Sequence, residues 1–240
     1  MEFMADLHIH TCLSPCGASE MIPPAIIARA KEKNLDIIGI CDHNSAENVV
    51  AVKKAGEKQN MPVIGGIEVM SSEEVHILAF FDNEYNLFGF QSIVYENLPG
   101  INDEDAFGQQ FVVNEEGEVI DLNKRLLIGA TQLSLAEIVE AIHSLGGLAV
   151  ASHIDRESFS IFGQLGFIPK NITLDALEVS PESPLQEARE KFPETLNYVL
   201  VSFSDAHYLN DIGMSFSSFT MESVSAKEIK KALKFSGGYG

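Results

Sequence analysis

The segment Leu35-Asp36-Ile37-Ile38-Gly39-Ile40-Cys41 is a short, nearly continuous apolar run that stops on Asp42-His43. A run of that length without alternation is the pattern of a strand covered on both faces, as in a parallel sheet flanked by helices. Residues 3–10, 62–69, 75–81, 148–152, 176–179 and 198–203 also read as strands. Helices are expected between them. Pro23-Pro24 suits the first turn of a helix over 25–33, and Ser45 is placed to cap one over 46–59. Ser134 and the pair Gly146-Gly147 bound a third over 135–145, with further helices over 185–191 and 225–234.

Repeated βα units in 240 residues predict a parallel α/β barrel or a doubly wound sheet. Residues 85–133 break the rhythm. An amphipathic helix over 88–96 is followed by Phe111-Val112-Val113 and Val119-Ile120 around Asn114-Glu115-Glu116-Gly117, the pattern of a β-hairpin. The chain is expected to form one domain over 1–240, with 85–133 inserted near the barrel mouth and 236–240 as a tail.

The expected strands carry histidine or carboxylate at their C-terminal ends: Asp6, His8 and His10; Asp42 and His43; Glu68; His76; His153; Asp205 and His207. Residues two apart in a strand face the same way, so His8 and His10 can present two imidazoles to one point. Six of the seven histidines fall in these places, and His143, within a helix, is assigned a structural or solvent role. Burying so many titratable groups without an ion would cost several kcal/mol per unpaired charge. Mixed nitrogen and oxygen donors suit zinc, manganese or iron. The three cysteines, Cys12, Cys16 and Cys41, argue against a disulfide framework.

Charge narrows the partners. Sixteen basic and 35 acidic residues leave a net charge of −19, which disfavours long nucleic acid and anionic membrane surfaces. A small anion then needs a local positive centre. The first residues lack a cationic, apolar leader pattern and no apolar run could span a bilayer, so a cytoplasmic location is expected.

The segments Asp6-Leu7-His8-Ile9-His10-Thr11, Asp42-His43-Asn44, Gly66-Ile67-Glu68, Val75-His76-Ile77, Ser152-His153-Ile154-Asp155-Arg156 and Ser204-Asp205-Ala206-His207 resemble, in order and spacing, the polymerase and histidinol phosphatase (PHP) domain family. The resemblance implies a distorted (β/α)7 TIM-like barrel with a metal cluster, usually trinuclear, at the C-terminal end of the strands. By the same resemblance, His8, His10, Glu68 and Asp205 would form a first site, and Glu68 would bridge to a second completed by His76 and His153. His43 and His207 would serve a third. Many relatives place a histidine where this chain has Cys16, so a thiolate either keeps that site with a shifted metal preference or weakens it.

Most characterised family members hydrolyse phosphoesters. The expected function is therefore a metal-dependent phosphoesterase, holding two or three ions of zinc, manganese or iron. It would cleave a small phosphorylated metabolite, nucleotide or short oligonucleotide through a metal-bridging hydroxide. Arg156 is the expected phosphate contact. Asp6 and Asp42 are expected to hold ligand imidazoles, either of them also able to move protons, and His207 or a metal-bound water to act as general acid. The alternatives are a metal-dependent amide or ester hydrolase and a non-catalytic metal-binding regulatory module.

Overall fold

The computed structural model describes residues 1–236 and, apart from Ser236, the expected tail lies outside them. Eight strands form a barrel-shaped sheet in the order β10-β1-β2-β3-β4-β7-β8-β9. The strands are β1 (Glu2–Ile9), β2 (Ile37–Ile40), β3 (Val63–Met70), β4 (His76–Phe81), β7 (Leu148–Ala151), β8 (Ala176–Val179), β9 (Leu200–Ser202) and β10 (Ser217–Thr220). Neighbours run parallel from β1 to β3 and from β7 to β9, while β4 is antiparallel to both its neighbours and β10 is antiparallel to β1. The fold is mixed α/β with a nearly closed, TIM-like barrel.

Two joins complete the ring. At the mouth, Ile9 bridges Ala206, with His10 N donating to Ala206 O at 3.0 Å and Ala206 N to His8 O at 3.1 Å. Lower down, β9 meets β10 through Ser202 N and the Ser217 hydroxyl at 2.9 Å.

One apolar cluster fills the barrel interior with Leu7, Ile37, Leu78, Phe80, Val150 and Val201, and the amphipathic α8 (Ala226–Ser236) adds Ile229 and Leu233 to it. A larger cluster lies between the strands and the surrounding helices α1 (Pro23–Glu32), α2 (Val49–Glu57), α3 (Glu84–Glu96) and α5 (Leu135–Ser144). Proline does open α1, and Ser134 with Glu137 forms a capping box on α5. The expected cap at Ser45 is displaced: α2 begins only at Val49, and the Ser45 hydroxyl instead meets the Tyr95 hydroxyl at 2.7 Å.

Residues 85–133 serve two purposes. Their first helix, α3, buries Leu87, Phe90 and Val94 on the barrel, as an ordinary barrel helix does. After the short α4 (Glu104–Phe107), the hairpin β5 (Phe111–Val113) and β6 (Val119–Leu122) is tied to the barrel rim by Asn48. The Asn48 amide donates to Phe111 O at 3.0 Å and its oxygen accepts from Val113 N at 2.9 Å. The remaining helices, α6 (Ile161–Leu165) and α7 (Leu185–Lys191), follow β7 and β8. No helix among the described residues is long and apolar enough to cross a membrane.

Candidate metal centre

A register shift in β1 aims the first two histidines. Asp6 pairs with Ile38 and Ile9 with Ile40, so three steps along β1 match two along β2. The extra residue is a bulge, which re-aims the side chains beyond it. Leu7 joins the interior cluster and Ile9 the outer one, while His8 and His10 turn to the mouth. Gly39 accommodates this, because a Cβ there would lie 2.4 Å from Leu7 O.

Glu68, on β3, is the hub. Its Oε1 lies 3.4 Å from His8 Nε2, 3.0 Å from His76 Nδ1 and 3.3 Å from His153 Nε2. Its Oε2 lies 3.4 Å from His10 Nε2 and 3.0 Å from His43 Nδ1. Asp205 Oδ1 stands 3.2 Å from His8 Nε2 and 3.1 Å from His10 Nε2. His8, His10, Glu68 and Asp205 thus bring four donor atoms within 4.8 Å of one another, and His43, Glu68 and His76 form a second such group. His10, His43 and His207 form a third. His153 joins through Glu68 rather than through that second group, so His43 faces two of the three clusters.

His76 comes from the opposite strand end to the one expected. It starts β4, whose reversed direction puts its N-terminal end at the mouth, where it pairs with Met70 at the end of β3.

Outer hydrogen bonds fix which imidazole nitrogens face the centre. Glu178 on β8 meets His8 Nδ1 with both oxygens, at 3.0 and 3.1 Å. An ionised carboxylate only accepts, so His8 Nδ1 carries the proton and Nε2 faces Glu68 and Asp205. Ser14 does the same for His10. Its hydroxyl donates to Asp42 Oδ1 at 2.7 Å and accepts from His10 Nδ1 at 2.9 Å and His43 N at 3.1 Å. His207 Nδ1 donates to Asp205 O at 2.8 Å. Three imidazoles therefore hold Nε2 toward the cluster, the orientation second partners impose on metal-binding histidines.

The sequence reading missed Glu178 and Ser14. It also misassigned Asp6, which touches no imidazole: its oxygens accept Ser204 N at 3.0 Å and Gly213 N at 2.9 Å. Burial pushes its carboxyl up to about 6 against those bonds. Asp42 reaches His10 only through Ser14. Its other contacts are Thr11 N at 2.7 Å and Thr11 Oγ1 at 2.8 Å.

Cys16 Sγ lies 3.2 Å from His43 Nε2. Burial of the sulfur opposes ionisation, but His43 and His207 outweigh it and bring the thiol down to about 6. Cys12 and Cys41 are buried elsewhere, their sulfurs 3.9 Å from Phe111 O and 3.6 Å from Leu7 O. His143 lies away from the centre, with Nε2 2.9 Å from Asp175 Oδ2. Arg156 Nη1 donates to Asp205 Oδ2 at 2.6 Å, leaving Oδ1 toward the histidines.

The residues fit divalent ions. Glu68 Oε1, both His76 ring nitrogens and His153 Nδ1 are buried without an aligned hydrogen bond, a costly arrangement for polar atoms unless an ion takes up their lone pairs. Carboxylate, imidazole and thiolate are the donors such ions take. Strained backbone holds the rim in place: Asn44, His153, Phe159 and Asp205 have φ of 50, 28, 60 and 49°. Each costs about 1–3 kcal/mol and persists where its surroundings over-determine it. Asn44 shows how, since its amide donates to Leu127 O at 2.7 Å and Gly129 O at 2.8 Å while its oxygen accepts Met70 N at 3.1 Å.

A barrel with this donor cluster at its mouth defines a class, the TIM-like barrels that gather a divalent-metal donor set at one end. The chain belongs to the PHP family, whose domain profile matches residues 6–178. An uncharacterized protein of Methanocaldococcus jannaschii is 35% identical over 88 residues, covering 33% of this chain and 51% of its own. The lesion-specific endonuclease EndoQ of Pyrococcus furiosus superposes with a TM-score of 0.75 at 23% identity, over 99% of this chain and 57% of that one. A complex of Endonuclease Q with a 27-mer duplex substrate, an abasic lesion at its active site, superposes with a TM-score of 0.71 at 23% identity, over 99% and 58%. The chain thus spans a little over half the length of these proteins. A barrel of the same shape belongs to a DNA-acting enzyme, so the acidic balance of this chain does not by itself exclude nucleic acid.

Proposed function

We propose that this protein is a metal-dependent phosphoesterase that cleaves a small phosphorylated metabolite, nucleotide or short oligonucleotide. The observation that carries the reading is Arg156, which stands on Asp205 beside the donor cluster while its side chain remains 39% exposed to the cleft. A guanidinium fork there suits phosphoryl oxygens better than an amide carbonyl.

His8, His10, Glu68 and Asp205 are read as one ion site, Glu68, His76 and His153 as a second, and Cys16, His43 and His207 as a third. Two or three ions of zinc, manganese or iron would supply Lewis acidity toward phosphoryl oxygen and lower the pKa of water. The protein's own groups do the positioning. Glu178 and Ser14 orient His8 and His10, and Asp42 orients Ser14. Arg156 holds Asp205 and offers its remaining N–H groups to the substrate. With the third ion site empty, a protonated His207, 21% exposed on the cleft, is placed to give its Nε2 proton to the departing alkoxide. Residues 85–133 are read as an insertion that shapes the cleft, to which they contribute Ile128.

The test is turnover. Protein loaded with manganese, zinc or iron should release product from an aryl phosphate, a bis-aryl phosphate or a nucleotide, and His8→Ala should abolish it. Absence of turnover on all three overturns the reading.

A further inference from the structure

The cleft has two arms that meet at Arg156. One, of about 460 Å³, continues from the histidines to Met70, Ile128 and Phe159. The other, of about 410 Å³, runs past Pro181, Tyr208 and Met214. Both are lined by Cys16, Arg156, Asp205 and His207. Arg156, the one arginine among the described residues that line both, therefore stands at their junction.

Each arm offers an aromatic face. Phe159 stacks on His76, with ring centroids 5.0 Å apart and planes 12° apart, yet stays 41% exposed. His76 covers one face, and the residue lines the cleft. Its backbone is fixed in the left-handed region by the His76 N–H, which donates to Phe159 O at 2.9 Å. Such a conformation is costly for a bulky residue, and here it sets the ring at the cleft. In the other arm Tyr208 is 57% and Met214 64% exposed. Large apolar side chains left open in a concavity are recognition surfaces rather than core.

Carboxylates line both arms beside these rings, Glu157 in the first and Glu182 and Asp211 in the second. An aromatic group in each arm requires a phosphate esterified on both sides, as in a diester and not in a monoester.

We infer that the cleft takes a phosphodiester flanked on both sides by planar aromatic groups, with Phe159 and Tyr208 as the two stacking surfaces and the phosphate at Arg156. This rests on the phosphoesterase reading and sharpens its substrate class. A dinucleoside monophosphate and a longer single strand share the required chemistry. Stacking of a base on an aromatic side chain is worth enough to make each alanine substitution cost about 10- to 100-fold in affinity.

The experiment compares a bis-aryl phosphate, a dinucleoside monophosphate and a 12-mer single strand with an aryl monophosphate, on the metal-loaded protein. Wild type, Phe159→Ala and Tyr208→Ala are assayed for kcat/KM. Binding of a dinucleoside linked by a phosphinate with both bridging oxygens replaced by methylene, which keeps the single negative charge and resists cleavage, is measured by calorimetry. The expected result is a preference for diester over monoester, with each substitution lowering diester kcat/KM and analogue affinity about 10- to 100-fold. Tyr208 is mostly exposed, so its truncation tests the inference even where Phe159→Ala disturbs the rim. A lower KM for the 12-mer than for the dinucleotide assigns the cleft to single strands, and equal values assign it to small diesters. Monoester turnover equal to diester turnover, unaltered in ratio by either substitution, overturns the inference while leaving the phosphoesterase reading intact. Absence of turnover on every substrate overturns that reading instead.

Discussion

Glu178 accepts the Nδ1–H of His8 on both carboxylate oxygens, at 3.0 and 3.1 Å, and with Oε2 also accepts the backbone N–H of His153 at 3.0 Å. One buried carboxylate thereby positions two residues of the donor cluster. Glu178→Gln keeps the shape but puts an amide N–H₂ against one of these donors. Zinc affinity, measured by competition with a chelator, is expected to fall about 10- to 100-fold, the usual cost of losing such a partner. Unchanged affinity would remove Glu178 from the site.

Asp6 gives the opposite expectation. Its two oxygens each tie down one backbone N–H, of Ser204 and Gly213, and neither reaches a histidine. Asp6→Asn can keep only one of these bonds. Stability should drop by about 1–3 kcal/mol, read as a lower urea midpoint, while zinc affinity of the folded protein changes less than for Glu178→Gln.

Cys16 and Cys12 should differ in reactivity. The thiol of Cys16, an exposed residue, is brought down to about 6 by His43 and His207 against partial desolvation of the sulfur, whereas burial and the nearby Asp42 push Cys12 up to about 12. At pH 7 without added metal, iodoacetamide should label Cys16 and spare Cys12, as mass spectrometry of the peptides would report. Saturating zinc should slow the labelling, and Cys16→Ser should lower the bound-metal count by one. Labelling at the same rate with and without zinc would argue against a thiolate ligand.

Arg156 should be needed as a fork and not only as a charge. Arg156→Lys keeps the cation but loses paired N–H donors, and kcat/KM on a phosphate ester is expected to fall about 100-fold at saturating metal. Elemental analysis should find the same ions bound.

Acid stability has a source away from the cleft. Asp175 lies below the usual carboxylate range: burial opposes this, but His143, the Ala149 N–H and Lys230 together outweigh it. A depressed native pKa means that the unfolded chain binds the proton more readily. The stabilisation is therefore complete above the unfolded value, about 3.9, and is lost as pH falls below it. Asp175→Asn should cost about 1–2 kcal/mol at pH 7. It should also flatten the fall of the urea midpoint as the pH drops below about 3.9. A parallel fall in both proteins would discount the cluster.

The donor residues were legible because histidines and carboxylates recur at the ends of apolar runs, as at His8, His10, Asp42-His43 and Asp205. The outer partners were not. Glu178 sits inside the four-residue strand Ala176–Val179, and the one available signal was a charge in an otherwise apolar run. Ser14 carries no pattern, since a hydroxyl's role depends on which groups the fold brings to it. The reversal of β4 was readable in hindsight from loop length. The connection between Met70 and His76 is too short for a parallel crossover, which needs a dozen or more residues. The polar strand β10 has no apolar run to mark it.

The bridge between Ile9 and Ala206 sets an order of events during synthesis. His8, His10, His43, Glu68 and His76 leave the ribosome long before Asp205 and His207, and chains emerge at about 5–20 residues per second. Until the last strand of the parallel set returns to the first, the early donors have no Asp205 to complete their cluster. An ion captured in that interval is held by a partial set and can leave again. Lasting retention therefore reports that the two ends of the barrel have met.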